Sequence, residues 1–315
     1  MIAEAEKRGA VVEVLDRASS FIRLIKNGKT EYMMQATRTS ADTYIAPLIM
    51  ENKQITKKIL QENEIRVPNG ITVQSIEEAE RVYDRFVEQD IVVKPNTTNF
   101  GIGVTILKRL QSNEMFMRAV GEAFRSDDTV IIESFIPGRE YRFLVVGDET
   151  VAVLYRIPAN VVGDGQRTIE QLVEEKNKDP RRGKGYVTPL EKIQLGAVEK
   201  AYLAGQGMTI LTVPDKGQTV FLRENSNISM GGDSMDCTDD VLEVYKQIAV
   251  KSAQAVGAKI CGVDMIIPDI RSRPEQSGYS VVELNFNPAL HIHDMPYKGI
   301  NRRVEKKVLD LLGII

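Results

Sequence analysis

The chain has 315 residues, 43% hydrophobic and 27% charged, with a formal net charge of -3, the balance of an ordinary globular protein with room for two or three domains. That charge supplies no clustered basic face for nucleic acid or an acidic membrane, and the short basic pairs at Arg181 and Arg182 and at Arg302 and Arg303 read as solvated surface. Cys237 and Cys261 offer neither a disulfide framework nor a zinc spacing, and no apolar run approaches the ~20 residues that span a bilayer. The charged start is unlike a signal peptide, so a reduced, cytoplasmic protein with no membrane or nucleic-acid partner is expected.

Residues 1–8 read as a short helix stopped by Gly9, and residues 11–15 as a strand. Residues 21–25 and 30–34 form an expected hairpin, because Asn27 and Gly28 suit a type I′ turn. This opening stretch is too small for a core of its own. Lys53–Glu62 reads as a helix, an extended restart follows at 67–68 and 71–73, and Ser75 caps a second helix with Glu78 completing a capping box. From Ile91 apolar β-rich runs take over, at 91–93, 104–107, 130–132, 141–146 and 151–155, with Gly147 and Asp148 turning a hairpin. Residues 168–176 and 190–206 have helical spacing, and 180–185 between them reads as a mobile loop. A long helix at 238–256, strands at 262–267 and 281–286, and a helix at 303–312 close the chain. Strands and helices that do not alternate strictly predict an α+β fold with antiparallel sheets, not a doubly wound parallel one.

Three segments carry chemistry. In residues 91–104 a β-branched strand delivers Lys94, Pro95 ends the ladder, and a loop with Thr98, Gly101 and Gly103 follows. Glycines let backbone N–H groups close on phosphate oxygens, and Lys94 would add a point charge. Glu283 and Asn285 are two apart on a strand and leave one face, while Val282, Leu284 and Phe286 face apolar packing. Asp264 lies in the neighbouring strand, and acids in such apolar surroundings must be paired or metal-bound. Three hard oxygen ligands without histidine suit Mg²⁺; the competing reading is an ion pair with a buried lysine or arginine. The third segment, 130–141, runs from a strand through a turn that could offer backbone groups to an adenine edge, with Glu140 placed for ribose; alone, it is better read as a plain strand-turn-strand. His291 and His293 lack the further ligands of a zinc site.

Taken in this order the segments resemble the ATP-grasp superfamily. The resemblance implies two α+β lobes clasping ATP, Lys53 and Lys94 on the phosphates, residues 98–103 as a lid, and Glu133, Ser134 and Ile136 as the adenine hinge. It also implies Glu140 on the ribose and Asp264, Glu283 and Asn285 on two magnesium ions, with Mn²⁺ an acceptable substitute. The implied division is a truncated N-terminal segment (1–46), a small lobe (47–136) and a large lobe (137–315). D-alanine–D-alanine ligases carry an arginine two residues before the aspartate, where this chain has Gly262. A closer resemblance, through residues 47–60, 156–165, 223–233 and 283–293, is to the glutathione synthetase halves of bifunctional γ-glutamylcysteine synthetase–glutathione synthetases. It departs at Met230, where a threonine is usual, and the glutamate–cysteine ligase half is absent. The resemblance implies a ligase joining γ-glutamylcysteine to glycine, with a dimer or a partner glutamate–cysteine ligase as a companion. Arg142, Arg156 and Arg223 are candidates for a carboxylate or the transferring phosphoryl, because the guanidinium fork matches both, and each reads equally well as a structural ion-pair partner; Asn227, just after Arg223, is a candidate beside them. Ligases of the cyanophycin synthetase type and a non-catalytic ATP-binding module are the alternatives.

Overall fold

The computed structural model describes residues 1–98, 101–185 and 187–315, which fall into two units. Met1–Val151, Asp239–Pro288 and Val304–Ile315 form the first, and Ala152–Thr238 with Ala289–Arg303 the second. Among the described residues, no helix is long and apolar enough to cross a membrane.

The first unit opens with α1 (Ile2–Lys7) and the antiparallel sheet of β1 (Val11–Asp16), β2 (Phe21–Lys26) and β3 (Lys29–Met34). Asn27 and Gly28 both take positive φ, 50° and 77°, as the expected turn demands. The helix α2 (Ile45–Glu51), not among the expected elements, runs almost straight into α3 (Lys53–Glu62). Asn52 divides them, its side chain accepting from the Ile55 amide at 3.1 Å to cap α3. Next come β4 (Gly70–Val73) and α4 (Ile76–Val82). Ser75 caps α4 through the Glu78 amide at 3.2 Å, but the Glu78 carboxylate reaches back to the Gln74 amide (2.8 Å), so the expected reciprocal box is offset by one residue.

β5 (Ile91–Pro95), β6 (Thr105–Leu107), α5 (Asn113–Phe124) and β7 (Val130–Ser134) then build a four-stranded antiparallel sheet in the order β4-β7-β5-β6. α5 is another addition to the expected elements. Its buried Phe116, Ala119, Val120 and Ala123 recur at helical spacing and pack with Ile91, Val93, Val130 and Ile132. β8 (Arg139–Val146) turns at Gly147 into β9 (Glu149–Ile157), which carries the chain into the second unit.

There β10 (Asn160–Val162) leads to α6 (Ile169–Lys176), whose start is held by a reciprocal box between Thr168 and Gln171. β11 (Arg182–Gly183), β12 (Leu190–Glu191), α7 (Ala197–Gly205), β13 (Thr219–Phe221) and β14 (Asp233–Asp236) follow. β9 pairs with β14 and β10 with β13, both antiparallel. The helix expected over 190–206 is confined to α7. Extended Gly196 receives the Glu199 carboxylate on its N–H at 2.9 Å and starts the helix there, and Leu190–Glu191 pairs in parallel with β11 instead. The expected mobile loop 180–185 holds that strand and a buried arginine. Val161, Ile169, Leu172, Leu203, Val220 and Leu222 form the core beneath.

The chain returns to the first unit through α8 (Glu243–Ala255), which begins at Glu243 and not at Thr238. β15 (Ile260–Ile267), α9 (Pro274–Ser277) and β16 (Ser280–Asn285) follow, then α10 (His291–Asp294) in the second unit and α11 (Val304–Leu311) in the first. β15 lies between β8 and β16, antiparallel to both. The fold class is α+β, as expected.

Candidate active site

Register places Arg142 of β8, Asp264 of β15 and Glu283 of β16 directly opposite one another, a single row across three strands. Residues opposed across strands share a face. Asn285 stands opposite Gly262 on the same face. Asp264 is 1% exposed. Arg142 donates from Nε to its Oδ1 and from Nη2 to its Oδ2, the second at 2.7 Å, so Asp264 is engaged by an arginine. Burial opposes the Arg142 charge, yet Asp264, with Glu283 and Glu140 beyond it, outweighs burial and lifts the guanidinium above its ordinary pKa. Asn285 Nδ2 donates to both the Gly262 carbonyl and Asp264 Oδ2 at 3.4 Å, so its Oδ1 is the oxygen left to bind a ligand. Glu283 Oε1 lies 3.3 Å from Lys53 Nζ. Beyond this row the register slips, from Asp264 opposite Glu283 to Met265 opposite Val281. The bulge at Val282 puts Val281 in the core, at 1% exposure, and leaves Val282 and Phe286 half-buried, a correction to the simple alternation expected.

The lysines are set by α3 and β5. Asn96 follows Pro95 and docks that strand end on the start of α3. Its carbonyl accepts from the Lys53 amide at 3.3 Å and its Oδ1 from the Gln54 amide at 2.9 Å. Lys53 Nζ donates to the Thr98 carbonyl. One helical turn on, Lys57 donates to one oxygen of Glu133, and Lys94 donates to the other at 2.5 Å. Glu133 is 3% exposed. Its carboxylate, expected at the adenine hinge, is thus held inward by two lysines. Burial would raise the Glu133 pKa, but Lys94 and Lys57 together hold it below the ordinary value. Burial, with Lys94 adding repulsion, pulls Lys57 below the ordinary lysine value despite Glu133. Lys57 and Asn96 are absent from the sequence-based candidates, and the pattern Lys-x-x-x-Lys on α3 was the available signal for the former.

In the hinge, the Ser134 amide donates to the Asn69 carbonyl at 2.8 Å, and Ile136 lies half-buried in the irregular run before β8. Glu140 stands opposite Ile266, on the face of Arg142. Just before the expected lid the Thr97 amide and hydroxyl both donate to Asp127 at 2.6 Å, and within it the Thr98 hydroxyl donates to the Ile102 carbonyl at 3.0 Å. Gly101 and Gly103 have φ of 75° and 72°, where a side chain is strained. Asn99 and Phe100, in the same expected lid, lie outside the described residues.

In the second unit Arg156 donates to Asn227 Oδ1 at 2.5 Å and to the Ser226 carbonyl at 3.3 Å, which brings two of the substrate candidates together. Arg223 donates instead to the buried Glu199. Met230 closes a short 3₁₀ turn before Gly231 (φ 91°). Asp233, unnoticed in the sequence, accepts from Asn160 at 2.9 Å, from Lys176 at 2.6 Å and from Arg182. Arg182 is therefore not solvated surface but 3% exposed, and Arg302 likewise is bound to Asp236 at 2.6 Å. Arg181 lies over the Tyr297 ring, 5.3 Å from its centre. His293 is fully buried, and burial holds His291 below its ordinary pKa. Among the described residues, no group of three or more His, Cys, Asp or Glu side chains is placed to hold a metal. On the β15–β16 face two carboxylates, Asp264 and Glu283, stand with the Asn285 amide, so a cation there would draw its remaining oxygens from its ligand.

The mixed α+β architecture, the paired lysines and the acidic row define the class: the chain belongs to the ATP-grasp superfamily. Family models match an ATP-grasp-like domain over residues 1–45, a phosphoribosylglycinamide synthetase ATP-grasp (A) domain over 51–169, and a RimK-like ATP-grasp domain over 212–312. More narrowly, the chain is similar to a glutathione biosynthesis bifunctional protein of Clostridium perfringens, 53% identical over 312 residues, which are 99% of this chain and 40% of that protein. It is 50% identical to the protein of the same description from Desulfotalea psychrophila, again over 99% of this chain and 40% of that one. The crystal structure of a bifunctional glutathione synthetase from Pasteurella multocida superposes with a TM-score of 0.76 at 45% identity, covering 100% of this chain and 43% of that one. The chain thus spans about two-fifths of the length of the relatives it matches.

Proposed function

We propose that the chain is an ATP-dependent carboxylate–amine ligase of the glutathione synthetase type, joining γ-glutamylcysteine to glycine with release of ADP and phosphate. The observation that carries the reading is Lys53 set against Glu283 of the acidic row, with Lys94 held by Glu133 on the neighbouring strand, in a chain 53% identical along its length to a protein named for glutathione biosynthesis. In this reading the glycyl-accepting carboxylate of γ-glutamylcysteine attacks the γ-phosphorus of ATP, and the β–γ bridging oxygen leaves with ADP. The neutral amine of glycine then attacks the acyl phosphate, the C–O bond to phosphate breaks, and the amine proton is lost. Lys53 and Lys94 bind and orient the polyphosphate, because a lysine head offers a mobile point charge. Residues 98–103 close over it, since an acyl phosphate must be kept from water. Ser134 and Ile136 offer backbone to the adenine, and Glu140 faces the ribose.

The oxygen donors Asp264, Glu283 and Asn285 Oδ1 fit Mg²⁺, which favours a few protein oxygens plus phosphates. Bound there, one or two such ions, or Mn²⁺ in their place, would neutralise charge developing between the β- and γ-phosphates. Arg156 and Asn227, joined in the second unit, are the stronger pair for the substrate carboxylate. Arg223, held by Glu199, acts through its neighbours. We place the enzyme in a reduced cytoplasm, with its dipeptide supplied by a glutamate–cysteine ligase.

The test is ADP release with γ-glutamylcysteine and glycine together, with each withheld, and with arginine or aspartate as acceptor. Release that needs both named substrates supports the proposal. Release with another pair moves the chain to a cyanophycin-synthetase-like ligase, and tight ATP binding without turnover under any pair sinks both enzyme readings. Glu283→Gln should abolish turnover and weaken ATP binding only in its magnesium dependence.

A further inference from the structure

We infer that Arg142 is a resident counter-ion of the metal site, which holds both oxygens of Asp264 in the nucleotide-free protein and yields them when a divalent cation arrives with nucleotide. The inference rests on the reading of Asp264, Glu283 and Asn285 as metal ligands. It goes further in giving the metal-free face a defined state. Asp264 has both oxygens engaged by one guanidinium, and Glu283 has Lys53 3.3 Å away. Each carboxylate of the row is thus matched by a cation. A dication seated on Asp264 would lie within a few ångströms of the guanidinium, where like charges repel strongly because the site is buried. The cation can settle only as Arg142 and Lys53 move off, and the polyphosphate that accompanies it supplies the anions they move to.

The structure provides a seat for the guanidinium. Gly262 stands beneath it, and a Cβ built there would meet Arg142 Cδ at 3.1 Å, Arg142 Nη1 at 3.4 Å and Pro288 Cβ at 3.2 Å. Even a methyl group there would press on Arg142 and ask it to shift by a few tenths of an ångström. An acid beside the row gives the guanidinium an anion to move towards: Glu140 acts on Arg142 from the same face of the sheet. Release therefore exchanges one anion for another and does not strand a buried cation, which would be costly.

Manganese binding followed by electron paramagnetic resonance at pH 8 tests this, on the full chain with and without a non-hydrolysable ATP analogue. Without nucleotide, Arg142→Met should bind Mn²⁺ roughly tenfold or more tightly than the unaltered protein, because the competing cation is gone. Gly262→Ala should shift affinity in the same direction by a smaller factor. With the analogue present, the difference should shrink to about threefold or less, since Arg142 has already moved. Equal or weaker Mn²⁺ binding by Arg142→Met without nucleotide, with all proteins binding Mn²⁺ in the presence of the analogue, overturns the inference and spares the metal site. No Mn²⁺ binding by any protein with the analogue overturns both. Should Arg142→Met not fold, the unaltered protein decides: the nitrogen-15 Nε resonance of Arg142 should shift when Mg²⁺ is added with the analogue and not when the analogue is added with chelator. A resonance indifferent to Mg²⁺ overturns the inference.

Discussion

Glu133→Gln is the sharpest perturbation of the nucleotide side. Glu133 is 3% exposed and accepts from Lys57 and Lys94, one on each oxygen. The amide keeps the shape and removes the charge, leaving two buried cations facing each other. Removing one partner of a buried ion pair costs about 3–5 kcal/mol, or roughly 6–20 °C of melting temperature for a domain of 150–250 residues. The pH dependence gives a second signature. Glu133 has a folded pKa below its ordinary value, so its contribution is present above the ordinary carboxylate range and is lost as pH falls through the folded value. Lys57 is also depressed, so stability tied to it is highest above the ordinary lysine value and is lost as pH falls through its folded value. Without Glu133 that depression deepens. The stability deficit of the variant should therefore be greatest near neutral pH and narrow towards both acid and alkali. The chain has no tryptophan, so urea unfolding would be followed by far-ultraviolet circular dichroism from pH 4 to 10. A deficit below about 1 kcal/mol, within the range of an exposed pair, or one flat across that pH span, would refute the account of a buried triad.

Two further outcomes follow from local geometry. Asp233→Asn strips the shared partner of Lys176 and Arg182 and should cost about 3–5 kcal/mol, with hydrogen exchange accelerated at the amides of β9 and β14 and unchanged at β5 and β7. Gly103→Ala forces a side chain into a φ of 72° with its Cβ 2.7 Å from Pro95 Cγ, and should lower kcat/KM for ATP roughly tenfold, read by varying ATP at saturating second substrates. Unchanged kcat/KM would mean that the loop does not close on the nucleotide.

The sequence displays elements better than partners. Strand period alone sets Glu283 and Asn285 on one face, and the Asn27–Gly28 turn and α3 are visible in local chemistry. Who meets whom is decided by register between distant segments. Arg142 and Asp264 are 122 residues apart, and Lys57 and Glu133 are 76 apart, so the ion pairs that organise the face leave no local trace. Arg182 looked like surface because its neighbour Arg181 and its surroundings are charged, and only the fold brings Asp233 to it. The overlong helix at 190–206 failed on Gly196, whose cap outweighs the apolar spacing before it. The bulge at Val282 is likewise invisible in a run of valines.

The interleaving of the two units has a consequence for how the chain is made. β8 must wait for β15, its antiparallel partner, until the whole of the second unit's main segment has left the ribosome. At ordinary elongation rates that interval is roughly 6–24 s, during which Phe143, Leu144, Val145 and Val146 lack a strand that pairs with them in the finished protein. Nascent chains of this architecture are thus obliged to keep a sticky strand soluble while a different domain is translated. Chaperone occupancy should peak when Val146 has emerged and fall once Ile267 follows. The acidic row cannot exist before Glu283 has also been made.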